Sequence, residues 1–506
     1  MPCSSLKVAT RRRRAVAWGE QCANTAGLGG GDEAAGRHDS RLPFNPFRSS
    51  QGDSVIGSLV LLAGVVVACG AERRSAFDPD STADKDAGFE GGSTGFTPGQ
   101  TPCEGLECKI VECDDGEKTT LRGKVYDPAG SNPLYNVTVY IPGGNEPDAD
   151  LPPIPSSLDD GITCETCSSV VLNPLVSALT DGKGEFVLEN VPVDKDVPVI
   201  VQIGKWRRKF QIDITKKCEP NDVKDRTFKL PASSKEGDLP HFAVTSGSND
   251  ALECLLRGIG IDDSEFVNGH SDAGHVHMFS GSGGKMGPSA QNELWNDVEQ
   301  LKKYDIVLLN CEGSESLSNK GGSTPGARGA MYEYLNMGGR VFGTHYQHVW
   351  FSKSPESEFQ ELASWADAYP PDDTFDVNMS FPKGEQMAEW LQETGASTTL
   401  GKIPLKAVRG SVADLREPAV PWIIKDGQPG AKFFTVNTPI SAPTEEQCGR
   451  GVFSDLHITD RAGPSSISGC DISKGGLNGQ QKILEFILFD LSACVSDDKV
   501  APQPPK

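Results

Sequence analysis

Apolar residues fall along this chain in four regimes. The first is one unbroken stretch, Val55 to Ala68, fourteen residues without a charge and ended by Cys69. It is shorter than the about 20 residues a membrane-spanning helix needs. Its length, and the small residues before Cys69, match the apolar core and cleavage region of a signal peptide, which places residues 1–68 outside the folded protein. Such a core normally starts much nearer the N-terminus, so initiation near Leu42 is expected, with Arg48 as the positive flank. The second regime, residues 70–102, is rich in Asp, Gly, Ser, Thr and Pro and predicts a flexible tether. With Cys69 and a short cysteine-bearing segment it makes up residues 69–117.

The third regime, 118–231, alternates with period two. Leu121, Gly123 and Val125 alternate with polar neighbours, as do Val137 and Val139, and Val197 to Ile203 is an apolar run. Asp181-Gly-Lys-Gly184 marks a turn between Val176–Thr180 and Phe186–Leu188. Short strands between Gly, Pro and Asp turns predict an all-β sandwich. In the fourth regime, 238–495, the period changes. Ala251, Leu252, Leu255, Leu256 and Ile259 have helical spacing, with Asn249 or Asp250 as the cap. Leu294, Trp295, Val298 and Leu301 mark a second helix, Ala330 to Met337 a third, and Ile483 to Leu491 a closing one. Between them lie strand-like runs at His241–Thr245, Asp305–Cys311, Arg340–Tyr346 and Val452–His457. Alternation of strands and helices predicts a parallel sheet covered on both faces. The expected architecture is multidomain: an all-β sandwich, then an α/β three-layer domain with a mostly parallel sheet, then a disordered tail, 496–506. Residues 350–445 hold two helical stretches and strand-like runs without a legible order.

Charge and cysteines narrow the setting. The chain carries −22. Residues 1–68 hold eight basic and five acidic residues, so the remainder carries −25. That surface repels nucleic acid and anionic lipid, and Arg11 to Arg14 do not change this. Twelve cysteines follow residue 68. An exported chain permits disulfides. With Cys69 set aside the count is odd, so at least one thiol stays free. Cys254 and Cys311, in apolar segments, are expected as inert buried thiols. Cys103, Cys108, Cys113 and the Cys164–Cys167 pair have metal-like spacing but are expected in disulfides, and no metal site or cofactor is expected.

Three resemblances rest on quoted residues. Val66-Val-Ala-Cys69 resembles the lipobox of bacterial lipoproteins. The resemblance implies acylation of Cys69 and a membrane partner reached through lipid; Gly70 after Cys69 implies the outer membrane in a Gram-negative cell. Leu121-Arg-Gly-Lys-Val-Tyr-Asp, Asn136-Val-Thr-Val-Tyr and Thr180-Asp-Gly-Lys-Gly-Glu-Phe resemble the carboxypeptidase regulatory-like, transthyretin-like family, whose domains are usually non-catalytic. Tyr304-Asp-Ile-Val-Leu-Leu-Asn, Gly338-Gly-Arg-Val-Phe-Gly-Thr-His and Gly449-Arg-Gly-Val-Phe-Ser-Asp-Leu-His resemble the class I glutamine amidotransferase superfamily, and within it the ThuA-like group, which implies a flavodoxin/amidotransferase-like sheet.

That last resemblance frames the candidate chemistry. The family's nucleophile is a Cys on a Gly-x-Cys elbow; here the elbow reads Gly343-Thr344-His345, as in the ThuA-like group. His457 falls at the family's catalytic His, and Thr459 replaces the Glu two residues on. Glutamine hydrolysis is therefore rejected. Cys311 ends a different strand and is not expected to stand in for the missing thiol. Ligands of open α/β sheets bind beyond the carboxyl ends of strands, so His345, His457, Asp455 and Glu312 are the acid/base candidates. Tyr346, at the elbow, and Trp206 with Arg207, in a basic aromatic spot, are the binding candidates. His270, His275 and His277 are expected on a polar loop. Gly281-Ser-Gly-Gly-Lys285 lacks the residues of a phosphate loop. Two functions follow as expectations: a surface binding or scaffold protein with a carbohydrate ligand, or a sugar-directed hydrolase or isomerase using the strand-end histidines.

Overall fold

The computed structural model describes residues 105–144, 151–165, 167, 171, 173–322 and 326–505. The apolar run, Cys69, the tether and Cys103 lie outside the described residues. Among the described residues no helix is long and apolar enough to cross a membrane.

Eight strands come first: β1 (Thr120–Tyr126), β2 (Thr138–Pro142), β3 (Pro174–Leu179), β4 (Glu185–Glu189), β5 (Asp194–Ile203), β6 (Trp206–Ile214), β7 (Pro220–Asp222) and β8 (Phe228–Lys229). They form two four-stranded sheets. One runs β4-β1-β7 with β8 also on β1, and the other runs β3-β2-β5-β6. In β4, Phe186 and Leu188 are buried while Glu185, Val187 and Glu189 are exposed, the expected period of two. The Asp181–Gly184 turn is present, and the Asp181 side chain accepts from Lys183 and Glu185 N–H. It joins strands of different sheets, so it is a sheet-to-sheet crossing and not a hairpin.

The remaining strands are β9 (Phe242–Ser246), β10 (Phe266–Asn268), β11 (Val276–Ser280), β12 (Ile306–Leu309), β13 (Arg340–Thr344), β14 (Ala363–Trp365), β15 (Asp373–Val377), β16 (Lys402–Leu405), β17 (Val412–Leu415), β18 (Val420–Ile424), β19 (Ala431–Thr438) and β20 (Gly449–Ser454). Ten of them make one sheet, ordered β10-β11-β9-β12-β13-β20-β19-β18-β15-β16, and β14 pairs with β17 apart from it. The first six strands are parallel. The last four pairings are antiparallel. The expected mostly parallel sheet is thus corrected to a mixed one, its antiparallel half supplied largely by residues 373–438, whose order the sequence did not reveal.

Alternate residues of the parallel strands enter two separate cores. Ile306 and Leu308 face one, Val307 and Leu309 the other. This double burial explains why DIVLLN reads as a continuous apolar run. Helix Gly326–Asn336 packs in the second core. Helices Leu252–Gly258, Pro382–Glu393 and Gly479–Ser492 pack in the first, which also takes in the two smaller sheets. The β-rich first part and the ten-stranded sheet therefore share one apolar interior. Trp206 is fully buried there, edge-on to Phe242 and near Phe489. Tyr135 stacks on Phe486, and Asn132 Nδ2 donates to Glu485 Oε2 at 2.7 Å.

Disulfides join distant segments: Cys113–Cys218, Cys164–Cys448, Cys167–Cys494 and Cys254–Cys470. Cys108 is disulfide-bonded as well. Cys254 is thus not the inert thiol expected; Cys470, on a loop without periodicity, comes to it through the fold. Residues 496–505 are not the disordered tail expected. Asp498 is buried and pairs with Lys383 at 2.9 Å and Arg450 at 2.9 Å, charges whose partners sequence pattern does not reveal.

Candidate functional site

Because β9, β12, β13 and β20 are parallel neighbours, their carboxyl ends emerge along one edge. In register, Leu309 lies opposite Gly343, and Thr344 opposite Ser454. Cys311, His345 and His457 follow these three strand ends within a few residues, and they converge. Cys311 Sγ lies 3.4 Å from His345 Nδ1. The His345 and His457 rings are 5.4 Å apart between centroids. One metal-ligating atom from each of the three falls within 4.8 Å of the others. His345 and His457 are 4% and 5% exposed, and Cys311 is wholly buried.

The backbone at His345 is unusual. Its φ is +46°, a left-handed conformation rarely held by a residue with a side chain. The elbow motif thus keeps its sharp turn with an imidazole at its tip. Gly343 is required just before it, since a Cβ there would meet Gln347 Cβ at 2.9 Å. Beneath the elbow, Thr344 Oγ1 accepts from Cys311 N–H at 3.0 Å and donates to Asp250 Oδ2 at 2.7 Å. Asp250 Oδ1 accepts from Ala251 and Ile458 N–H, each at 2.8 Å. Asp250 therefore ties the ends of three strands together. It does not cap helix Leu252–Gly258, whose N-cap residue is Ala251 without a side-chain cap.

His457 Nδ1 lies 3.3 Å from Asp460 Oδ1, which also accepts from Arg409 Nη2 at 2.8 Å. Its Nε2 is buried with no hydrogen-bond partner. Burial, with the neighbouring His457 and Arg409 charges, pushes His345 down to about 3. Burial also opposes charge on His457, but Asp250, followed by Asp460 and Cys311, outweighs it and lifts His457 to about 10. Their surroundings thus push the two imidazoles in opposite directions.

His457 and Asp460 open onto a groove of about 470 Å³, lined also by Lys406, Thr459, Asn478 and Gln480. Beside the cluster, the Tyr346 ring lies 3.9 Å from His345 and its hydroxyl 3.3 Å from that of Tyr369. Tyr369 is 60% exposed, and Arg409 sits over its ring at 5.0 Å.

The other candidates lie elsewhere. Asp455 is fully buried and accepts from Ser411 N–H at 2.8 Å. Glu312 forms a buried pair with Lys320 and accepts from Ser282 N–H, so its carboxylate is committed to holding loops. Trp206 offers no exposed ring, and Arg207 is bound to Asp238 and the Pro152 carbonyl; both serve the interior. The three loop histidines separate. His270 and His277 share the Tyr304 hydroxyl, whereas His275 pairs with Glu265. His277 is buried, not on a polar surface loop.

Cys311 is the correction that matters most. Set aside in the sequence because it ends a different strand, it meets His345 because that strand, β12, is the parallel neighbour of β13. Asp460 and Tyr369 also went unseen, since neither carries a motif, and Asp250 was read only as a helix cap; adjacency of β12 and β13 was the available signal. No protein-family model and no curated protein matches this chain. Among solved structures it is similar to a ThuA-like protein from Bacteroides uniformis, at 8% identity and a TM-score of 0.27, over 49% of this chain and 90% of that one. It is also similar to a type II cohesin–X-dockerin complex from Acetivibrio cellulolyticus, at 14% identity and a TM-score of 0.15, over 30% of this chain and 78% of that one.

Proposed function

We propose that this protein is a cell-envelope lipoprotein, anchored through Cys69, whose strand-end cluster acts on carbohydrate as a hydrolase or isomerase. In this reading the first eight strands are a transthyretin-like module and the ten-stranded sheet is a variant of the amidotransferase-like three-layer fold. The observation that carries the reading is the convergence of His345 and His457 at adjacent strand ends, with His457 Nε2 buried and unpartnered. Environments that drive two titratable groups apart are the signature of acid/base assignments. The ligand class rests on the surroundings. An exposed tyrosine ring offers a flat apolar face, and the groove beside it presents amide, hydroxyl and charged groups suited to sugar hydroxyls.

The test is a panel of oligosaccharides and aryl glycosides given to the full chain, read by product formation and by thermal shift. A ligand that binds only the folded state raises the melting temperature. Turnover of at least one glycoside is expected, reduced at least 100-fold in His457→Ala and in His345→Ala, each checked for folding by circular dichroism. Neither shift nor turnover across the panel rejects the reading. A second reading, carbohydrate binding without chemistry, is favoured by the deep burial of both imidazoles. It predicts a thermal shift lost in Tyr369→Ala, with no product formed.

A further inference from the structure

The same three side chains have the chemistry of a transition-metal centre. We propose that Cys311 Sγ, His345 Nδ1 and His457 Nε2 bind one zinc-type divalent ion with its fourth position left for water or substrate. This rests on the reading above for the site and changes what its histidines do: as ligands they would hold the ion, and the ion would supply the activation of a bound water or substrate hydroxyl.

Four observations converge. One donor atom from each of the three residues already lies within 4.8 Å of the others, and Cys311 Sγ is 3.4 Å from His345 Nδ1. Around a tetrahedral zinc with ordinary sulfur and nitrogen bond lengths, neighbouring donors sit roughly 3.3–3.6 Å apart. Closure on an ion thus needs a shift of about 1 Å of one imidazole and no refolding. Second, His457 Nδ1 faces Asp460, leaving Nε2 inward, buried and without a partner. A ligating imidazole with its far nitrogen on a carboxylate is the usual way a protein fixes such a ligand. Third, Gly313 N–H donates to Cys311 Sγ at 3.4 Å, a contact that supports a thiolate. Fourth, Cys311 is the free cysteine among the described residues, while the cysteines around it are paired. A thiol kept out of this disulfide set, with two imidazoles aimed at it, is placed as a ligand. Wholly buried, it is poorly reachable as a nucleophile. Three protein ligands plus an open position is the pattern of catalytic zinc, and the mixed thiolate and imidazole set suits that ion.

The experiment is titration of the full chain, stripped with chelator, with Co(II). One equivalent is expected to bind and to give a thiolate-to-cobalt charge-transfer band in the near ultraviolet. Zinc should displace it at one equivalent. Cys311→Ser should abolish the band, and His345→Ala and His457→Ala should each weaken cobalt binding tenfold or more; the two histidine variants keep every thiol and so control for cysteines elsewhere. No band, or a band that survives Cys311→Ser, overturns the proposal. Binding of copper alone overturns the zinc-type assignment, since a Cys and two His also serve copper electron transfer. The two readings fail separately. Cobalt bound with neither thermal shift nor turnover across the panel rejects the carbohydrate reading and leaves the centre. Cleavage that persists after chelation, with no cobalt band, rejects the centre and leaves the acid/base pair.

Discussion

At the scale of single residues, two groups near the strand ends sit where a side chain of their type is costly. His345 holds φ +46°, a region that Asn tolerates better than His. His345→Asn is therefore expected to leave the melting temperature unchanged or raise it by a few degrees, while weakening cobalt binding tenfold or more. A large loss of stability would show that the imidazole is there for packing. Glu253 is the second. It is fully buried, with Asn310 Nδ2 donating to Oε2 at 2.7 Å and no partner for Oε1. Burial pushes its carboxyl up to about 7. A folded-state value above the unfolded one favours the protonated form. Its stabilisation is complete below pH ~4.5 and is lost as pH rises through about 7. The loss is on the order of 3 kcal/mol. Glu253→Gln fixes the neutral form, so its melting temperature should fall less between pH 4.5 and 8 than that of the parent; equal slopes would refute the assignment. Of this neighbourhood the sequence revealed the residues that end strands, His345 and His457. Glu253 and Asp250 sit in and before an amphipathic helix, and their burial is a tertiary fact that local pattern does not encode.

At the scale of elements, helices such as the closing one were legible because they bury an apolar stripe at helical spacing, and parallel strands because burial on both faces makes them unbroken apolar runs. The closing helix, expected over Ile483–Leu491, spans Gly479–Ser492, and its capping box was missed because Asn478 lies before the apolar stripe. Asn478 Oδ1 accepts from Gln481 N–H at 2.9 Å, and the Gln481 side chain returns a bond to Asn478 N–H at 3.0 Å. Asn478→Ala should cost about 1 kcal/mol in urea unfolding. Cobalt affinity should stay within twofold, because the cap lines the groove without reaching the ligands. A larger fall in affinity would place Asn478 in the site itself. The antiparallel strands β15 to β19 were illegible because their burial comes from partners far along the chain. Val420-Pro-Trp-Ile-Ile, for example, carries a proline and register shifts against β19, which blur its alternation.

At the scale of the whole molecule, the carboxyl-terminal segment returns to close a buried ion cluster. Lys383 and Arg450 face Asp490 and Asp498, all 2% exposed or less at the side chain. The four come from helix Pro382–Glu393, from β20, from helix Gly479–Ser492 and from the segment beyond Val495. Such a cluster adds little over an apolar core when intact, because desolvation offsets attraction, but losing one member strands a charge. Asp498→Asn, nearly the same shape, is expected to cost about 3–5 kcal/mol, read as a lower urea midpoint at pH 7. Truncation after Val495 removes the same carboxylate and should cost at least as much; a midpoint unchanged in both variants would show that the segment is dispensable. The pH dependence separates this cluster from Glu253. Burial opposes charge on Asp498, but Arg450 and Lys383 outweigh it and hold the carboxyl well below the usual range. Its stabilisation is present above the ordinary unfolded value of about 3.9. It is lost only as pH falls towards the much lower folded value. Asp498 thus contributes loss on acidification and Glu253 loss on alkalinisation to the stability curve, and the buried histidines held below their ordinary value add to the acid limb. Asp498→Asn should flatten the acid limb of that curve and Glu253→Gln the alkaline limb, each leaving the other intact.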